Sequence, residues 1–94
     1  MIAVHPGRIL KRELAARQLS ANQLALALRL PSGRITDIIN GKRGISPDSA
    51  LRFARYFGND ARFWLSLQTS YDLAVAENET GQRIRDEVRP SEAA

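Results

Sequence analysis

The 94-residue chain has no cysteine, so neither disulfide staples nor a thiolate metal site can support its fold. His5 is the only histidine. General acid–base chemistry, in a small ribonuclease for instance, would then rest on scattered carboxylates and arginines that share no evident helical face. No apolar run approaches the roughly 20 residues needed to cross a bilayer, and MIAVHPGRIL lacks the basic stretch and apolar core of an export signal. Without such a signal the glycosylation pattern Asn78-Glu79-Thr80 carries no weight. These absences predict a cytoplasmic protein that is not an enzyme, holds no metal or cofactor and has no membrane partner.

What is present favours helices. Hydrophobic residues make up 44% of the chain, and only six residues are aromatic. The abundance of Leu, Ile and Ala suits helix-on-helix packing better than a sandwich or barrel, and the length suits a single unit with a modest core. The net charge of +4 is unevenly spread. Residues 1–57 hold ten Lys/Arg against three Asp/Glu, a net +7, and residues 58–94 hold four against seven, a net −3. This polarity predicts a cationic face suited to phosphates and a far end that avoids nucleic acid and is open to protein contacts. On charge alone, an ordinary solvated surface explains it equally well.

Caps and breakers divide the chain into five helices. Pro6 opens the first, and Ile9, Leu10 and Leu14 follow at helical spacing to about Arg17. Ser20 and Gln23 form a capping box for a second helix over about 21–28, with Leu24, Ala25 and Leu28 as its buried stripe. Pro31 disfavours helix at Leu30 and restarts the chain as a third helix from about Ser32 to Asn40, ended by Gly41. Ser46-Pro47 opens a fourth, with Ala50, Leu51, Ala54 and Phe57 expected inward and Gly58 as its stop. Asn59 or Asp60 caps a fifth that reaches about Glu77. The expected division is a helical domain over 1–77 and a polar, flexible tail over 78–94.

The second and third helices, end to end around a brief break, read as a helix-turn-helix. Ile35, Ile38 and Ile39 bury one side of the third helix and turn Gly33, Arg34, Thr36, Asp37 and Asn40 outward. A helix entering the major groove of DNA needs short side chains for close approach and a few forked or donor groups for base edges. Ser32, Gly33, Arg34, Thr36 and Asp37 meet that need: Arg34 for guanine, Thr36 for a thymine methyl or a base edge, Asp37 for cytosine N4. Asp37 can equally be a surface acid paired with Arg34 three residues before it. Asn22, Gln23, Asn40, Lys42 and Arg43 are placed for flanking phosphates. In isolation Gly-Lys-Arg-Gly would be a solvated turn.

Phe63, Trp64, Leu67 and Tyr71 form an aromatic-rich stripe on the fifth helix. Core packing is its first explanation. So many large side chains on one terminal helix of a small domain also suggest a two-fold dimer interface, and two reading helices about 34 Å apart would suit a palindromic operator in double-stranded DNA. His5, just before Pro6, is expected to cap or to face solvent rather than to bind a ligand.

The helix pair with NGKR resembles the Xre/Cro-type repressors. HPGRIL, NGKRGIS and ARYFGNDARFWLSLQTSYDL, in that order, resemble the HigA-type antitoxins over about residues 4–76. The resemblance implies a lambda-repressor-like, five-helix all-α homodimer that represses its own promoter and neutralises a HigB-type toxin, an mRNA-cleaving protein of the RelE-like fold. A regulator of the same family with no toxin partner is the alternative. Three positions depart from the family pattern: Ala21 where Gln often touches a phosphate, Arg29 where Gly often makes the turn, and Arg8 where HPGEIL has an acid. An Arg29 in left-handed conformation would cost about 1 kcal/mol. No toxin-facing residue transfers by motif.

Overall fold

The computed structural model describes residues 2–92 as five helices: α1 (Pro6–Arg17), α2 (Ala21–Leu28), α3 (Ser32–Ile39), α4 (Pro47–Phe57) and α5 (Ala61–Glu87). There is no strand among the described residues, and the fold is all-α.

Local chemistry sets most of the boundaries. His5 Nδ1 accepts from the Gly7 amide at 2.9 Å to cap α1. The Ser20 hydroxyl accepts from Gln23 N at 3.0 Å while Gln23 Oε1 accepts from Ser20 N at 2.9 Å, closing the capping box of α2. Ser46 and Asp60 cap α4 and α5. Arg29 ends α2 in the left-handed region at φ 60°, so the turn is built on a side chain that does not favour it. Gly41 takes φ 76° after α3, where glycine carries no such penalty.

The core lies where α1 to α4 meet the first half of α5. Leu10, Leu24, Ile35, Ile38 and Phe53 are fully enclosed, with Leu14, Leu28 and Ile45 around them. Each such side chain contributes about 1.5–3 kcal/mol by leaving water. Trp64 seals the assembly, edge-on to Phe53 at 5.1 Å, with its Nε1 donating to Asn59 Oδ1 at 3.0 Å. The inward residues of α4 differ from the expected set: Phe53 joins Ala50 in the core, and Leu51 is 65% exposed. Leu51 lies about 100° round the helix from Ala50, which is enough to turn it out.

The division expected at residue 77 falls inside α5. This helix of 27 residues runs unbroken to Glu87, about 40 Å, and gives the molecule its 53 Å long axis against 24 and 22 Å. Beyond Ala74 it is held by contacts along its own surface: Gln82 to Asp86 at 3.0 Å, Arg83 to Glu87 at 3.7 Å, and Arg85 with Glu77. The expected flexible tail over 78–94 is thus helix for its first ten residues. Met1 and residues 93–94 lie outside the described residues.

Candidate nucleic-acid interface

The α3 helix is amphipathic by position. Ile35 and Ile38 are fully buried, and Ile39 is half-buried against α1. At about 100° per residue, Ser32, Gly33, Thr36 and Asn40 fall on the opposite side, and all four are exposed. Asp37 lies at the edge of that face, half-buried, and takes part in no ion pair among the described residues. The Thr36 hydroxyl donates to Ser32 O at 3.2 Å, which leaves its methyl and the oxygen lone pairs for an outside partner.

Arg34 sits apart from this face. Its guanidinium lies 3.7 Å from Asp48 of α4, and it lines a cavity of about 430 Å³ with Arg43, Gly44, Ser46, Asp48 and Ser49. The pairing of Arg34 with Asp37 is therefore not formed: α4 brings a carboxylate closer to the guanidinium than the helix's own. Asp48 also receives Arg52 Nε at 2.9 Å, and Arg52 Nη1 donates to Leu28 O at 2.8 Å, tying α4 to the end of α2.

Among the residues expected at phosphates, Asn22, Gln23, Asn40, Lys42 and Arg43 are all exposed. The capping box occupies Gln23 Oε1 and leaves its Nε2 to donate elsewhere. Lys42 and Arg43 follow α3 after Asn40 and Gly41, and both of their amides donate to Asp37 O, at 2.8 and 3.2 Å. The loop is then pinned from a distance: Gln68 of α5 accepts from Ile45 N at 2.7 Å and donates to Asp72 Oδ1 at 3.0 Å. No local signal marks Gln68, because its partner is 23 residues away in sequence.

His5 stands at the same junction, edge-on to the Tyr71 ring at 4.8 Å. Burial pushes its imidazole below the ordinary value, partly offset by the Asp72 carboxylate.

The proposed dimer stripe divides. Trp64 is 1% exposed and belongs to the core, so it cannot serve an interface, and Leu67 and Tyr71 are half-buried against neighbours within the chain. Phe63 is 45% exposed. The two rings are adjacent in sequence and so point about 100° apart, one inward and one out.

The Helix-turn-helix family matches residues 10–64, more than half of the chain. Virulence-associated protein I of Dichelobacter nodosus is 51% identical over 80 residues, covering 84% of this chain and 74% of that protein. Among solved structures, an addiction module antidote protein of the HigA family from Coxiella burnetii superposes with a TM-score of 0.93 at 47% identity, covering 97% of this chain and all of that one. Pseudomonas aeruginosa antitoxin HigA with the higBA promoter superposes with a TM-score of 0.92 at 41% identity, covering 95% and 98%.

Proposed function

The chain belongs to the HigA-type antitoxins of the Xre/Cro helix-turn-helix family, and from that membership we propose that it represses its own operon as a homodimer and neutralises an mRNA-cleaving, RelE-like toxin of the HigB type. One observation carries the DNA reading. The α3 face bearing Ser32, Gly33, Thr36 and Asn40 is exposed and uncharged, and cations stand beside it. Short polar side chains let the helix backbone approach base edges, while Lys42 and Arg43 at its end supply phosphate contacts that set register. Asp37 at the edge is suited to cytosine N4, and Arg34 is suited to a guanine once it leaves Asp48.

Two copies reading half-sites about one helical turn apart fit a palindromic operator in double-stranded DNA. The exposed Phe63 is the part of the α5 stripe that can contribute to such a pairing. Among the described residues no helix is long and apolar enough to cross a membrane.

The direct test titrates the protein against a duplex from its own promoter region and a random duplex of equal length at several salt concentrations. A promoter preference of about 10³ or more is expected, and equal affinities would overturn the repressor reading. The toxin reading expects a small basic protein encoded beside it, whose growth arrest co-expression of this chain should relieve and with which it should co-purify. Promoter binding without rescue would leave a regulator that has no toxin partner.

A further inference from the structure

Resting on that DNA reading, we infer that α1 forms a second cationic rim for the same duplex, in which Arg8, Lys11 and Arg12 bind the phosphodiester strand on the side of α3 opposite to Arg34 and Arg43. The three cations project from one face of α1 at spacings of three and four, and with Ala15 they line a groove of about 400 Å³ whose far wall is Ile39, the last residue of α3. All three are exposed, none of the ion pairs among the described residues includes them, and no carboxylate lines the groove. Glu13, the one acid of α1, is committed to Arg17 at 3.2 Å.

Position on α3 shows why this groove belongs to the DNA face. The exposed residues Ser32, Thr36, Asn40 and Gly33, with half-buried Asp37 at the edge, span about 140° of the helix surface. Arg34 borders that arc on one side, where it shares a cavity with Arg43. Ile39 borders it on the other, and there the groove of Arg8, Lys11 and Arg12 begins. A helix lying in the major groove runs between two phosphodiester strands about 12 Å apart, so a reading helix with cations on both flanks can hold both strands. Arg34 and Arg43 account for only one flank. Arg8 is a departure from the HPGEIL of the family pattern, so this rim is a property of the present chain.

The test compares wild type with Arg8→Gln/Lys11→Gln/Arg12→Gln, and with Arg8→Glu alone, on the promoter duplex and the random duplex across a salt series. All three side chains are exposed, and circular dichroism with thermal melting confirms that each variant is folded. Each lost phosphate contact should lower the salt slope by about 0.9, so the triple variant should lose two to three units of slope per bound protomer. It should bind at least about tenfold more weakly near 0.1 M salt, by the same factor on both duplexes. Arg8→Glu should lower affinity on both without altering base preference. An unchanged slope while wild type binds normally would overturn the α1 rim and leave the repressor reading intact. So would a loss confined to the promoter duplex, or intact DNA binding with lost capture of the toxin, which would assign α1 to that protein. Wild type that binds neither duplex would sink both readings.

Discussion

The Arg34 guanidinium rests 3.7 Å from Asp48 with about a third of its side chain exposed, 31%. A pair of this kind at the surface is worth about 0–1 kcal/mol, whereas a bidentate contact to guanine is worth about 1–3 kcal/mol of discrimination. A guanine within reach can therefore take Arg34 from Asp48, and Asp48 then keeps Arg52 at 2.9 Å, so no carboxylate is stranded. Arg34→Ala should weaken promoter binding and relax preference at one base pair of each half-site. Lys42→Ala should weaken all sequences alike and reduce the salt slope by about one unit. Competition titrations with single-base variants of the promoter separate the two. Equal losses on promoter and random duplexes for Arg34→Ala would move that residue to the phosphates beside Arg43.

His5 permits a pH prediction at the same scale. As the cap of α1, its Nδ1 must accept from Gly7 N, so the capping form is neutral. Its folded value lies below the ordinary one, chiefly because the ring is buried. The unfolded chain thus binds the proton more readily, and stability rises with pH across the window from the lowered folded value to about 6.5. It is complete above that window and is lost as the medium turns acid. His5→Asn keeps a capping acceptor but does not titrate. Urea unfolding at pH 5.5 and 7.5 should show a larger acid loss for wild type than for this variant, and equal losses would refute the role of the cap.

Among the elements, α1 and α3 approach so closely that a Cβ on Gly7 would overlap the Ile38 carbonyl oxygen. Replacing glycine by alanine in a helix gains up to about 1 kcal/mol of propensity, while overpacking costs about 1–3 kcal/mol. Backbone cannot swing aside as a flexible side chain can, so the overlap should prevail. Gly7→Ala is expected to lower the chemical denaturation midpoint, and a neutral or stabilising result would mean that α1 slides freely. Gln68→Ala should act on the neighbouring loop: with Ile45 N left without its acceptor, Lys42 and Arg43 lose their anchor to α5. DNA affinity should then fall several-fold on promoter and random duplexes alike, with base preference unchanged. Unchanged affinity would show that the loop is held without α5.

These elements also mark how far the sequence could be read. The starts of α2 and α4 follow from Ser20 and Ser46, and that of α5 from Asn59 or Asp60, of which Asp60 is the cap, because an N-cap is a contact between neighbours in sequence. The bare face of α3 follows from Ile35 and Ile38 by period alone. The partner of Arg34 did not follow, since Asp48 reaches it only through the packing of α4. Gln68 was invisible for the same reason. The second half of α5 is illegible on a different ground: its polarity reads as loss of a core, yet pairs such as Gln82 with Asp86 and Arg83 with Glu87 let a helix continue without one.

At the scale of the whole molecule, the net +7 of residues 1–57 and the net −3 of residues 58–94 become two ends of a 53 Å body. Cations flank α3 at one end, and the rod of α5 carries exposed Leu73 and Ile84 among mixed charges at the other, Ile84 between Arg83 and Arg85. A rod with a small acidic excess is repelled by phosphates, so, on the proposed reading, a basic RNA-cleaving toxin docked there would not compete with DNA for one surface. The rod adds little to the core, because among the described residues the core cluster and the side chains packed on it include none beyond Ala74. Truncation after Glu77 should therefore remove helical signal in circular dichroism while shifting the thermal midpoint by only a few degrees, about 1 kcal/mol or less. Promoter preference should survive the truncation, and co-purification with the toxin should be lost. If the truncated chain still captures the toxin, the toxin docks on the basic half and must share it with the operator. If promoter preference disappears instead, the rod is what pairs the two reading helices.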